Sequence, residues 1–337
     1  MRFGALVFAM TVSTALFAQS PSTFSLTHSY VLGGDGGWDY IVPDSPHHRL
    51  FIARQTRVMV VDEDTGKLLG EVPDIHGAHG TAIDPASGYG FATSSQDKSV
   101  VMFDAKTFKV LKRIPAAEDA DAIIFDEPSG RVFSLNGDAE SSTVIDGRTG
   151  NLVTNLPLGG KPEYAVSAGD GKLYVNITDK NEIVEIDTKS ATVTRRWPTA
   201  PCQNPVSLAI DKTHHRLFSG CRSGIEAVSD YQAGKVVATA PIGKGVDGGG
   251  YDPRTASVFA SNGDGTLTVI HQDTPDKYHV VQTLATPIGS RSSAFDPVSH
   301  RLFVVSAKFG PVPPGGRRGP VLPGTFTLMV FEAQPGH

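Results

Sequence analysis

The stretch DSPHHRLF (Asp44–Phe51) returns as DKTHHRLF (Asp211–Phe218). A histidine pair that occurs twice reads at first as a metal site. Its neighbours point elsewhere. Arg49-Leu50-Phe51 recurs as Tyr89-Gly90-Phe91, Arg131-Val132-Phe133, Lys172-Leu173-Tyr174, Arg216-Leu217-Phe218, Ser257-Val258-Phe259 and Arg301-Leu302-Phe303. The step is about 42 residues, a period that marks stacked supersecondary units. Every copy runs in the same order. An apolar run ends in Asp, as in TAIDP, IIFDEP, SLAID, GGYDP and SAFDP, and a short turn leads to the RLF strand. A third strand ends in a turn, as in VMVVDEDTGK and STVIDGRTGN, and a fourth such as VLKRIP closes the unit. Four short strands joined by turns make one antiparallel sheet. Seven such sheets packed radially make an all-β, seven-bladed β-propeller.

Within this repeat the histidines have a simple explanation. His47, His48, His214, His215 and His300 all fall in turns between first and second strands, so they recur because the turn recurs. Blades one and five lie apart in a seven-membered ring, so the two pairs do not share a metal. The last unit is short of a strand, since the chain ends after RLFVVSA and FTLMVFEA. The segment LTHSYVLG (Leu26–Gly33) is unassigned and is expected to complete blade seven, covering an edge whose backbone groups are otherwise unpaired.

The chain has 337 residues, 39% hydrophobic and 19% charged, with a net charge of −5 and no basic block. Binding to nucleic acid runs on Lys and Arg neutralising phosphates, so a nucleic-acid partner is not expected. The N-terminus MRFGALVFAMTVSTALFAQSPS places Arg2 before an apolar run from Phe3 to Phe17, followed by small and polar residues. This is the pattern of a secretory signal peptide. Residues 1–18 are read as the signal and 19–337 as one propeller domain, soluble and periplasmic or secreted. The apolar run is short of the ~20 residues that span a bilayer. Export permits a disulfide between the two cysteines, Cys202 and Cys221.

The strings FDP…RLFV and VIDGRTGNLV…LPLGGKPEYA resemble the YVTN-type repeats of the YncE-like family, and the similarity covers nearly the whole mature chain. No copy reads Tyr-Val-Thr-Asn; YVNI (Tyr174–Ile177) comes nearest. The resemblance implies an exported seven-bladed propeller. Many members of that family have no assigned activity and some bind nucleic acid. One fold hosts many activities, so the repeat speaks for fold and little for function.

Aligning the blades on the Asp that ends each first strand gives Asp44, Asp84, Asp126, Asp211, Asp252 and Asp296, with Ala168 in blade four. Five residues earlier stand Asp39, His79, Asp121, Glu163, Val206, Asp247 and Arg291. Ionisable groups at one structural position are expected to ring the upper mouth of the central channel. Four acids against one Arg make the ring formally acidic, and low-dielectric walls focus such a field. A small polar molecule, an ion or a protein partner would bind there. No cofactor is called for; of metals, a Ca²⁺ ion suits oxygen ligands, although His79 and Arg291 interrupt the carboxylates. Trp38, Asn204 and Arg222 join the candidate ligand-binding set, with His76, Asp119, Asn262, Asp264 and Lys308 on the same face. Trp38 offers either a stacking surface or packing between blades.

The remaining motifs fail on context. GKGVDG (Gly243–Gly248) matches a dinucleotide fingerprint but joins two strands rather than a strand and a helix. DEDTGK (Asp62–Lys67) begins like a calcium loop, but Gly66 and Lys67 break it. No nucleophile elbow, zinc-protease helix or phosphate loop is present. The Pro-rich, basic segment 310–325 interrupts blade seven and reads as a surface flap. The expected function is therefore non-catalytic binding by a monomer. The alternative is a propeller enzyme, lactonase-like or, with only two Trp in the chain, less readily quinone-dependent.

Overall fold

The computed structural model describes residues 21–316 and 319–334. The segment expected to be a signal sequence (1–18) and the Arg317-Arg318 pair of the flap lie outside the described residues.

Each of the seven sheets has four antiparallel strands, in sequential order in the first six blades. Blades one to six span 41–72, 78–115, 120–157, 162–198, 205–241 and 246–285. Blade seven takes three strands from 293–333, and its fourth is the N-terminal strand Phe24–Val31, paired to Thr327–Ala333. The ring is thus closed by joining its two ends in one sheet. Phe24 is buried edge-on against Phe259 of blade six, ring centroids 4.8 Å apart. Gln282, also of blade six, exchanges hydrogen bonds with the Phe24 backbone.

The RLF repeat is an inside-facing strand, and period-2 alternation sends its second and third residues to opposite faces of the sheet. Both faces are covered by neighbouring blades, so both positions are apolar. Phe51, Phe91, Phe133, Tyr174, Phe218, Phe259 and Phe303 are all buried. They form the layers between blades, as where Phe51 meets Phe103 at 5.9 Å and Phe218 meets Tyr251 at 5.0 Å. Blade two departs from the pattern at Gly90 because the Phe103 ring occupies the space: a Cβ there would lie 2.2 Å from it. Among the described residues no helix is long and apolar enough to cross a membrane.

The Asp that ends the first strand in six blades is buried at the lower face, where it binds its own turn, and in four of them, at Asp126, Asp211, Asp252 and Asp296, it also ties that turn to another blade. Asp84 accepts from the backbone of Ala86 and Ser87, Asp252 from that of Arg254, and Asp296 from that of Val298. Between blades, Ser45 donates to Asp296 at 2.6 Å, Ser167 donates to Asp126 at 2.6 Å, and His300 pairs with Asp252 at 3.0 Å. Gln272 of blade six donates to Asp211 of blade five at 3.1 Å. The turn histidines belong to this belt: His47 and His214 bind Asp44 and Asp211 through Nδ1 at 3.0 and 2.6 Å.

Candidate functional site

Five residues before each buried Asp the first strands do something different. In blades two to six the pairing of first and second strands slips at this point, with irregularities between Ala78 and Thr81, Ala120 and Ile123, Pro162 and Ala165, Pro205 and Ser207, and Val246 and Gly248. A bulge bends its strand and re-aims a side chain. Here each bulge contains the ring residue: His79, Asp121, Glu163, Val206 or Asp247. The carbonyls it frees are taken by the next-door blade. Thr93 donates to the Asp121 carbonyl at 2.8 Å and Asn176 to that of Ser207 at 2.8 Å.

The ring residues meet across blade boundaries. His79 Nδ1 lies 2.6 Å from Asp39 Oδ2 and 3.4 Å from Asp121 Oδ1, so one imidazole sits between the carboxylates of blades one and three. Arg291 Nε contacts Asp247 at 3.1 Å. Blade five carries the buried Val206 in the ring. Its charge comes instead from Arg222, 3.6 Å from Glu163 Oε1. The structure therefore brings together Asp39, His79, Asp121, Glu163, Asp247, Arg291 and Arg222.

Electrostatics at this hub are strongly perturbed. Burial opposes a charged His79, but the hydrogen bond to Asp39 and the charges of Asp121 and Asp39 outweigh it and raise the imidazole to about 9. Burial and the charge of Asp39 push Asp121 well above the carboxylate range, against the pull of His79. Burial and Asp247 push Glu163 up to about 7, opposed by Arg222. Asp121 Oδ1 is out of contact with solvent and accepts no hydrogen bond. At neutral pH the ring is consequently a set of acid–base pairs around an imidazolium rather than an open circle of negative charge.

Beneath the ring lies a feature that sequence reasoning passed over. Tyr40 of blade one and Tyr164 of blade four meet edge-to-face, centroids 5.2 Å apart, and the Tyr40 hydroxyl donates to the Glu163 carbonyl at 3.3 Å. These blades face each other across the channel, so the two rings form a floor at its waist. Burial, then the charges of Asp121, Glu163, Asp39 and Asp247, raise the Tyr40 hydroxyl far above its usual value, so it stays protonated. The signal was available. The position after the ring residue reads Tyr40, Gly80, Ala122, Tyr164, Ser207, Gly248 and Ser292. Two large aromatics stand where five small residues leave the channel open.

On the far side of the floor the channel widens into an apolar cavity of about 610 Å³, lined by Val42, Ile124, Tyr164, Leu208, Tyr251 and Phe295 among others. On the ring side a groove of about 230 Å³ runs between Trp38, Asp39, Gln55, His79 and Gln96. Trp38 borders that groove while its ring packs on Phe326 and Phe309, at 5.3 and 5.9 Å.

The other candidates contribute no side-chain contact to the cluster, although the charge of Asp119 reaches His79 and Asp121. Asn204 holds a turn at φ 51°, taking the Asn181 side chain on its N–H and donating to the Thr178 carbonyl. His76 pairs with Asp97, Asp264 caps Lys244, and Asn262 is buried among hydroxyls. The Asp119 backbone, at φ 59°, turns back on Gly137, and the Lys308 N–H binds Thr325. Cys202 and Cys221 form a disulfide that bridges the entry loop of blade five to the end of its second strand, next to Arg222. Arg54, also unforeseen, is fully buried under the loop before Trp38. It donates to the carbonyls of Gly33, Asp35, Gly36 and Gly37 and lies 3.8 Å over the Phe326 ring.

No family model matches the chain, and no curated protein matches it. Among solved structures it is similar to a chain of Kuenenia stuttgartiensis hydrazine synthase, with 16% identity and a TM-score of 0.68, over 88% of this chain and 96% of that one. At that identity the likeness concerns the propeller fold.

Proposed function

We propose that this protein is an exported, non-catalytic propeller that binds a small hydroxylated or zwitterionic molecule at the ring mouth of its channel. The observation that carries the reading is Asp121. Its carboxyl is held within a half-buried set of acid–base pairs, one oxygen is out of contact with solvent and has no hydrogen-bond partner, and a tyrosine floor closes the space beneath. An unsatisfied buried acceptor costs free energy that a ligand hydroxyl or ammonium would recover. Donors and acceptors are interspersed around the ring, which suits a molecule bearing both. Ca²⁺ fits less well, since it asks for six to eight oxygens and His79 is hydrogen-bonded to Asp39 within the would-be ligand set. The disulfide, the signal-like N-terminus and the YVTN-type repeats support work outside the cytoplasm.

A thermal-shift screen of sugars, polyols and amino acids tests this. Hits should be lost in Asp121→Asn and Asp247→Asn. Hits that survive both variants would move binding out of the mouth, with the apolar cavity beyond the floor as the remaining place.

A second reading, hydrolysis, is favoured by one observation: Glu163, raised to about 7, could serve as an acid near neutral pH. Turnover of a lactone or ester panel that disappears in Glu163→Gln, with a pH profile inflecting near 7, would establish it.

A further inference from the structure

The seam where the ring closes carries a second cluster of ligating groups, and it is unrelated to the channel. The turn after the third strand of blade one is DEDTGK. Asp62 holds it rigid, its Oδ1 accepting from the N–H groups of Asp64 and Thr65 and from the Thr65 hydroxyl. The turn therefore presents Glu63 and Asp64 in fixed directions. The His48 carbonyl binds the Glu63 N–H at 3.0 Å, which docks the preceding turn against it. His48 Nδ1 then lies 3.3 Å from Glu63 Oε1 and 3.7 Å from Asp64 Oδ2, and the ligand atoms of all three residues fall within 4.8 Å of one another.

Glu63 makes this more than an acidic patch. Its side chain is wholly buried, yet neither carboxylate oxygen accepts a hydrogen bond. The approach of His48 is not itself a hydrogen bond in geometry. A buried carboxylate with no partner is costly unless it is neutralised or coordinates a cation. Arg301 of blade seven does not meet that need. It pairs with Asp64 Oδ1 and with Glu332, and stands 3.9 Å from Glu63. It holds Asp64 by the oxygen that faces away from His48. Even with Arg301 counted, carboxylates outnumber cations, because Asp296 and Glu332 lie nearby as well.

We propose that His48, Glu63 and Asp64 form a binding site for a divalent transition-metal ion of the zinc type, which clasps the seam of the ring. Bonds of about 2.1 Å in tetrahedral arrangement place neighbouring ligand atoms about 3.4 Å apart. The two separations from His48 match that edge. One imidazole nitrogen with two carboxylates is a borderline donor set that suits zinc and its neighbours over Ca²⁺. A fourth position is left for water. The clasp reaches all parts of the seam: Tyr30 of the N-terminal strand donates to the Asp64 carbonyl at 2.6 Å and covers Gly66, where a Cβ would strike its ring at 2.4 Å.

The test is titration of EDTA-dialysed protein with Zn²⁺ at pH 7.5, read by calorimetry and by melting temperature, beside Glu63→Gln and His48→Asn. Asn suits the left-handed backbone of His48, φ 51°, and that turn is exposed, so this variant keeps the fold if Glu63→Gln does not. The expected result is saturable binding that raises the melting temperature. Each variant should weaken it tenfold or more, while His279→Asn, in an exposed histidine–carboxylate pair on the outer strand of blade six, leaves it unchanged. Absence of saturable binding, equal binding by both seam variants, or loss in His279→Asn overturns the proposal.

Discussion

Two rings of acids come from the same seven strands, five residues apart, and meet opposite fates. At the lower face Asp126, Asp252 and Asp296 are fully buried and fully employed, taking N–H groups and hydroxyls of their own turns and a side chain from an adjoining blade. Burial works against the Asp211 carboxylate, but hydrogen bonds from His214 and Gln272 outweigh it and hold its pKa below the usual value. At the upper mouth Asp121 and Glu163 are raised instead, because burial and neighbouring acids meet too few donors. Carboxylates of one residue type on one strand are therefore structural at one end and available at the other. What separates them is where their hydrogen bonds go.

The largest expected effect breaks the lower ring. Asp252→Ala removes the partner of the Arg254 N–H, the Thr255 hydroxyl and the His300 ring in a buried setting. It should cost about 3 kcal/mol, as losses of buried charge-assisted networks do, seen as a lower denaturation midpoint with ligand binding retained by the surviving folded protein.

Next comes pH. Glu163 and Glu63 are both raised to about 7, Glu63 by burial first and then by Asp296. An acid raised on folding binds its proton more tightly in the native state, so stability falls as pH climbs from the unfolded value to the folded one. Chemical denaturation should show a loss of about 2 kcal/mol for each of the two carboxyls between pH 4.5 and 7, flattened in the Glu63→Gln/Glu163→Gln double variant. His79 acts in a later window: a cation raised to about 9 lends stability that is complete below its unfolded pKa near 6.5 and fades as pH passes 9. His79→Gln should abolish that second decline.

The smallest effect sharpens the contrast. Asp121→Asn mimics the protonated group and should change stability by less than about 1 kcal/mol, although the same exchange at Asp252 would be severe. A large loss at Asp121 would make the upper ring structural too and remove the basis for the binding site.

Much of this was legible beforehand. The RLF strands, the Asp-terminated first strands and the orphan segment near Leu26 together specify seven blades and the closure of the last by the first. The position of the ring residues could be read as well. What could not be read was their pairing. Asp39, His79 and Asp121 come from three successive blades, about 40 residues apart, and Arg222 fills a vacancy left by Val206 from a different strand. The upper ring reads as acidic in the sequence because Arg222, a candidate outside the aligned position, was left out of the charge count. Trp38 left two readings open, and its contacts with Phe309 and Phe326 show packing while it still borders the groove. Glu63 sat in a discarded calcium-loop lookalike, and nothing local marks it as buried without a hydrogen bond.

The amino-acid sequence by itself determined the repeat, the alternation that buries both faces of each sheet, and the turns that join the strands. These depend on residues within a few positions of one another, which is the range over which pattern is informative. Only the tertiary structure decided which charges are neutralised, where two tyrosines close the channel, and that Asp121 Oδ1 at the hub and Glu63 at the seam accept no hydrogen bond. Those outcomes depend on side chains from different blades meeting at a common axis or seam, and a linear period carries no record of which rotamers meet there.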